Sequence, residues 1–192
     1  MAGMAITDSR LAKVDFAGPY ATEPTVVAAL PLSPLLALHF PVDRVDMDNI
    51  GASGAAAITE LQHGLAGKTI GVQVSTIQAA FADRHLPDVR IREYGKLDEA
   101  ALDLAVGRLD ALLGSRSAVE ALRFRNDPTS LAVVSPNFTR GGLGRGVGIA
   151  VRKGDARNRA AFDDAIASAQ RDGAVQAMSM RWFGFDVSVS SR

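Results

Sequence analysis

The chain has 192 residues, and its 21 basic side chains balance 21 acidic ones, leaving no formal net charge. Apolar residues make up 47% of it, an ordinary globular composition, and the length allows one or two domains. The balance excludes the basic excess or stripe on which nucleic-acid binders rely. The absence of cysteine excludes a disulfide framework, a thiolate zinc site and a cysteine nucleophile.

At the start, Met1-Ala2-Gly3-Met4 shows no basic region followed by an apolar core, so no signal peptide is read there. Residues 24–42 carry no formal charge, but Pro24, Pro31, Pro34 and Pro41 interrupt them. Each proline removes a donor and disfavours helix in the residue before it, so this stretch reads as extended chain and not as a membrane span. From Gly67 onward strand and helix signals alternate. Residues 68–74 form a short apolar, β-branched run. Ser75-Thr76-Ile77-Gln78 reads as a capping box with Ser75 at the N-cap, opening a helix that continues through Phe81 and stops before Pro87. Residues 89–94 alternate as a strand. Residues 98–106 predict a helix with Ala101, Leu102, Ala105 and Val106 on one face, stopped by Gly107. A strand at 110–113, a helix at 117–125 and a strand at 131–134 follow. Such alternation with short links predicts right-handed crossovers and a parallel sheet.

The tail differs. A glycine-rich approach at 141–148 leads into an apolar strand at 147–151, which reads as buried on both faces of a parallel sheet. Asp155 is placed to cap a helix in which Phe162, Ala165, Ile166 and Ala169 share a face. Asp172-Gly173 turns the chain, and Val175, Met178 and Trp182 mark one face of a last helix ending near Gly184, with Trp182 read as core. Two apolar segments, 25–30 and 131–134, each leave through a proline and bracket the strand–helix region, as the two strands of a hinge, or two ordinary edge strands, would.

Several motifs then carry a family resemblance. Gly3-Met4-Ala5-Ile6-Thr7-Asp8-Ser9-Arg10, with Val14-Asp15-Phe16 and Pro19-Tyr20, resembles the first-lobe signature of family 3 extracellular solute-binding proteins. Leu65-Ala66-Gly67-Lys68-Thr69-Ile70-Gly71-Val72-Gln73 resembles the opening of their second lobe, and Gly107-Arg108-Leu109-Asp110-Ala111 a later motif of it. Gly146-Val147-Gly148-Ile149-Ala150-Val151-Arg152-Lys153 resembles the return strand, and Asp172-Gly173 with Trp182-Phe183-Gly184 the family's ending. Residues 42–50, Phe138-Thr139 and Leu143-Gly144 look closest to the opine and basic amino-acid subgroup.

The resemblance implies an α/β, type 2 two-lobed fold with parallel-sheet lobes and a hinge. It divides the chain into a first-lobe remnant and hinge at 1–29, a second lobe at 32–133, and a return segment at 136–192, with the first lobe incomplete at its N-terminal side. It implies a periplasmic receptor, not an enzyme, that captures a small carboxylate-bearing ligand (an opine or a polar or basic amino acid) by hinge closure and delivers it to an ABC-type membrane permease. No cofactor is required. The incomplete first lobe leaves self-association as an expectation. The alternatives are a non-binding fragment, a ligand-sensing domain of the same fold, or a dehydratase acting on prephenate-like acids.

Residue by residue, Arg10 matches the arginine that grips the ligand's α-carboxylate, a role suited to a planar fork of donors. Thr7 is placed to cap the short helix that carries it. Ala2, Gly3, Met4 and Ala5 match the loop lining the carboxylate pocket through backbone groups, and Ala5 stands where some members use a serine. Thr76, Ile77 and Gln78 match the start of the second-lobe helix, whose unpaired N–H groups attract an anion. Ser115 stands where amino-acid binders usually place an aspartate against the ligand's α-ammonium, which favours an opine or another carboxylate. Other candidates are weaker: His39, His63 and His85 lack metal-ligand spacing, Asp98, Glu99 and Asp103 read as a solvated helix face, and residues 142–148 do not fit the dinucleotide-binding glycine pattern.

Overall fold

The computed structural model describes residues 3–126 and 131–188. In chain order the first elements are β1 (Gly3–Ala5), α1 (Asp8–Leu11), β2 (Asp15–Ala21), β3 (Thr25–Ala29) and β4 (Arg44–Asp46). Next come α2 (Ala52–Leu65), β5 (Thr69–Gln73), α3 (Ile77–His85), β6 (Arg90–Tyr94), α4 (Leu97–Ala105), β7 (Ala111–Ser115) and α5 (Arg116–Asn126). The last are β8 (Ala132–Val133), β9 (Asn137–Thr139), β10 (Val147–Val151), α6 (Ala156–Arg171) and α7 (Ala174–Phe183). Short 3₁₀ turns lie at Pro34–Ala37 and Gly141–Leu143. Among the described residues no helix is long and apolar enough to cross a membrane. The chain divides into two compact units, Met1–Glu23 with Gly144–Arg192, and Pro24–Leu143.

The second of these units is built on a seven-stranded sheet in the order β4-β9-β3-β7-β5-β6, with β8 also pairing β3. The predicted crossovers appear in it: β5 runs parallel to both β6 and β7, linked by α3 and α4. The sheet is mixed, because β3 pairs antiparallel with β7, β8 and β9. Pairing of β3 with β8 brings together the two segments read as hinge strands, through Ala28↔Val133 and Ala29↔Ala132. All of β3 is buried. Its alternate residues feed opposite faces, as the period of a strand requires. Val27 and Ala29 join Ile70, Val72 and Leu113 under α2 and α3, whereas Val26 and Ala28 join Leu112 under α4 and α5. A sheet covered on both sides demands such continuous apolar strands. The sequence reading drew the first-lobe segment to residue 29, whereas every strand partner of β3 lies within residues 24–143.

Three elements of this unit, β4, α2 and β9, escaped the sequence reading. β4 is short, and α2 hides its apolar face behind small residues: Gly54, Ala57, Leu61 and Leu65 are its buried positions. Gly64 lies on the same helix so close to Leu38 that an added Cβ would stand 2.6 Å from its Cδ1.

The unit formed by the two chain ends holds a three-stranded antiparallel sheet, β1-β10-β2. This corrects the reading of 147–151 as a strand of a parallel sheet. β10 is central, pairing β1 through Met4↔Gly148 and β2 through Ile149↔Ala17, and only Gly148 in it is buried. Self-association was expected from the incomplete first lobe, but β10 is no open edge, having a strand neighbour on each side. Close approach explains the glycine: a Cβ on Gly148 would stand 2.7 Å from the Ala17 carbonyl oxygen. α6 packs on β2, with the Gly18 amide donating to Asp163 (2.8 Å) and Gln170 to the Pro19 carbonyl (3.1 Å). Asp155 caps α6 as expected, its carboxylate accepting from the Asn158 amide, and Gly173 and Gly184 bound α7 in left-handed conformations. The predicted apolar face of α6 is only half-covered, with no buried residue in the helix. Trp182, read as core, is 66% exposed, beside the exposed Met178 and Met180.

Candidate functional site

The short segment after β1 positions Arg10. The Ile6 amide donates to the Gly146 carbonyl and the Arg145 amide to the Ile6 carbonyl, so the chain leaves β1 held against the approach to β10. Thr7 follows in an extended conformation and its carbonyl accepts from the Arg10 and Leu11 amides, closing the single turn of α1. Thr7 does stand at the N-cap, but its hydroxyl lies 3.1 Å from that of Ser9 and makes no capping bond. From this turn the Arg10 guanidinium reaches back to donate to the Ala5 carbonyl at 2.9 Å. Arg10 and Ala5 therefore meet as the sequence reading placed them, with Gly3 and Met4 preceding in β1. Ala2 lies outside the described residues.

The charge around Arg10 is informative. Asp8, the acid nearest in sequence, is committed to Arg145 at 2.7 Å. Among the described residues no carboxylate pairs with Arg10. A half-buried guanidinium is permanently charged and carries five N–H donors, of which the Ala5 carbonyl occupies one. The remaining donors form a fork suited to an anion, and a carboxylate in particular.

In the other unit, Thr76, Ile77 and Gln78 open α3, but the capping differs from that read in the sequence. Ser75 is not the N-cap: its φ is +60°, a left-handed conformation, whereas Thr76 is extended and its hydroxyl accepts from the Ala79 amide at 3.2 Å. The same hydroxyl donates to the Gln73 carbonyl at 2.7 Å, fixing the turn between β5 and α3. Gln78 is buried and its side-chain amide donates to the hydroxyl of fully buried Thr25 at 3.2 Å, so it ties α3 to β3 and does not complete a capping box. This leaves the Ile77 and Gln78 backbone amides in the first turn, where an α-helix has no partner of its own for them. Replacing Thr76 with alanine is expected to cost about 0.5–2 kcal/mol of stability. Urea unfolding at unchanged slope measures it, and an unaltered midpoint would show that the hydroxyl is no cap.

Ser115 ends β7, opposite Thr25. Its hydroxyl is half-buried, 3.5 Å from that of Ser117, and accepts from the Ala118 amide at 3.4 Å, an N-cap contact for α5. Beside it stands Arg116, which the sequence reading passed over. Its guanidinium donates to Asn137 Oδ1 at 2.8 Å and lies 4.0 Å from buried Glu120, itself paired with Arg123 at 2.7 Å. The helical spacing of Arg116, Glu120 and Arg123 was the available signal. Thr25 and Asn137 gave none, since their partners are distant in sequence.

Among the described residues no group of three or more metal-ligating side chains could hold a metal ion. Asp103 is not solvated as read: it accepts from Tyr94 and Arg108 and pairs with Arg92, and these bonds, Tyr94's first, hold its carboxyl below the usual range. A cavity of about 330 Å³ near α7, lined by Tyr20, Val147, Met178, Trp182 and Phe183 among others, contains none of the predicted site residues.

The sequence profile of the bacterial extracellular solute-binding proteins, family 3, matches residues 1–185. The L-cystine-binding protein TcyJ of Escherichia coli is 38% identical over 125 residues, 65% of this chain and 45% of that protein. The octopine-binding periplasmic protein of Rhizobium meliloti is 28% identical over 207 residues, covering 98% of this chain and 70% of that protein. The L-arginine-binding protein of Pseudomonas aeruginosa is 29% identical over 191 residues, covering 97% and 65%. Among solved structures, an ancestral cationic amino acid solute-binding protein superposes with a TM-score of 0.68 at 24% identity, over 95% of this chain and 68% of that one. The chain thus spans 45% of the cystine-binding relative and about two thirds of the others.

Proposed function

Because the chain belongs to the bacterial extracellular solute-binding proteins of family 3, we propose that it serves as a receptor for a small carboxylate-bearing solute, an amino acid or an opine. The observation that carries this reading is Arg10: a half-buried guanidinium, anchored through one donor to Ala5, with no acid paired to it among the described residues. The proposed carboxylate contact is the rest of its fork, supported by the backbone of β1. The first-turn amides of α3 are the second proposed anion contact. The role is binding without chemistry, outside the cytoplasmic membrane, with hand-over to an ABC-type permease. Capture by hinge closure belongs to the same proposal, since a ligand favours whichever conformation gives it more contacts.

Of the solutes named by the relatives (cystine, octopine and arginine), an opine suits Ser115 best. Ser115 is neutral, is occupied in capping α5, and has Arg116 next to it. A primary ammonium brought there loses the ion pair that an acid would supply. The second acid arm of an opine asks for no such pair. Ser115→Asp tests this directly, because aspartate caps a helix as well as serine does. The substitution is expected to move preference towards ligands with a primary ammonium, read by titrating arginine and octopine in parallel. A preference that stays put or moves towards octopine would remove Ser115 from the ligand's nitrogen. The function itself is tested by titrating a panel of amino acids and opines calorimetrically, and saturable binding by none of them would overturn it.

A further inference from the structure

A second cavity, of about 270 Å³, lies among residues 24–143; of the candidate ligand contacts only Ile77 lines it. One wall is a face of α3, whose Ile77, Phe81, Arg84 and His85 recur at helical spacing; Met47 and Leu143 contribute to the opposite side. The walls are fixed. Phe81 packs its ring 5.0 Å from that of fully buried Phe138, and His85 lies against Phe81 at 4.8 Å. The 3₁₀ turn is pressed onto Met47, with Gly141 at a φ of +55° and room for no Cβ, which would stand 2.8 Å from that of Met47.

The chemistry of this lining is one-sided. Its floor is apolar, and among the described residues no acidic side chain lines it. Arg84 stands at it exposed, and among the described residues no hydrogen bond or ion pair reaches its guanidinium. The His85 ring nitrogens are likewise without a hydrogen bond among the described residues, although its carbonyl accepts from Gln62. Burial, and then the neighbouring Arg84 charge, hold the His85 pKa below its ordinary value, so near neutral pH the ring offers one N–H donor and no full charge. A cavity with an apolar floor, one permanent cation and no acid suits an anion with an apolar body. It offers nothing to an ammonium, so an amino acid is a poor match.

We propose that this cavity is a binding site for a small organic monoanion with a flat apolar body, such as an aromatic carboxylate, whose carboxylate pairs with Arg84 while its body lies on Phe81, Ile77 and Leu143. Arg10 does not line this cavity, which shares only Ile77 with the contacts proposed above, and the proposal stands whether or not the receptor reading does. Benzoate is the probe, with benzamide as its neutral counterpart, followed by backbone NMR shifts of the whole chain. Benzoate is expected to shift the Ile77, Phe81 and Leu143 signals saturably in the millimolar range, and benzamide to bind at least tenfold more weakly. Arg84→Gln, an exposed change that leaves packing intact, should weaken benzoate at least tenfold, and filling the cavity by Ala80→Phe should abolish it. Arg10→Ala should leave it unchanged. Equal binding of benzamide, indifference to Arg84→Gln, or absence of saturation would overturn the proposal. So would loss of benzoate binding in Arg10→Ala, since that places benzoate at the other site.

Discussion

Arg10→Ala is expected to weaken binding of a carboxylate ligand by about 2–5 kcal/mol, roughly 30- to 4,000-fold, as for removing one partner of a desolvated charge pair. The reasoning starts from what surrounds the guanidinium. Were Asp8 paired with Arg10, a ligand would have to displace it and the net gain would be small, but Asp8 is held by Arg145. The bond to the Ala5 carbonyl, at 2.9 Å, fixes the side chain before any ligand arrives, which reduces the entropy lost on binding. Arg10→Lys should recover only part of the affinity, because an ammonium keeps the charge and loses the fork. Calorimetry with octopine and arginine measures both variants. Unchanged affinity in Arg10→Ala would remove Arg10 from the site, and full recovery in Arg10→Lys would leave charge as its sole contribution.

The second large effect is on stability. Phe138→Ala is expected to cost about 3–5 kcal/mol, the usual penalty for a buried phenyl ring that leaves a cavity. Phe138 is fully buried on β9, where it sits opposite Thr25 of β3 and Val45 of β4 and stacks on Phe81. The ring thus joins three strands and a helix. Against a typical total of about 5–15 kcal/mol, such a loss brings residues 24–143 close to unfolding. Trp182→Ala is the contrast: a larger ring, but 66% exposed, for which a change within about 0.5 kcal/mol is expected. Equilibrium urea unfolding reads both. A loss below about 1 kcal/mol for Phe138 would mean that the surrounding strands close over the gap.

What was legible in the sequence was the local part. The β5–α3–β6–α4–β7 succession carries its own stop signals in Pro87 and Gly107, and each element came within two residues of its observed bounds. The face of α4 was misread: Leu97, Ala100 and Leu104 are its buried residues, whereas Leu102 and Val106 of the expected face are exposed, because a nine-residue helix with apolar residues all round does not say which side meets the sheet. The family motifs placed Arg10 and Ala5 together, and they are together. What failed depended on partners far along the chain. An apolar run such as Val-Gly-Ile-Ala-Val does not say whether its neighbours run parallel, and the partners of β10 come from residues 3–5 and 15–21. Ser75 and Thr76 are equally good capping residues by type, and only the backbone turn after β5 assigns the cap to Thr76. The Gln78 side chain looked like the closing member of a capping box because nothing near it in sequence showed that Thr25 would claim it.

Pairing of β3 with β7 carries a consequence for how the protein folds. Val27 meets Leu113 and Ala28 meets Leu112, so the most deeply buried strand joins the sheet across the whole β4-to-α4 stretch of chain. The parallel pairings of β5 with β6 and β7, by contrast, join strands close in sequence. Long loops are entropically expensive to close before other contacts exist, so the local β5–β6–β7 portion forms first and β3 docks onto it late. A late strand contributes little to the transition state. Val27→Ala should therefore speed unfolding while barely slowing folding, whereas Leu104→Ala, in the α4 packed on β5, should slow folding. Stopped-flow chevrons with equal movement of both limbs for the two variants would contradict that order. If it holds, the lifetime of the folded chain is governed by how often β3 lets go.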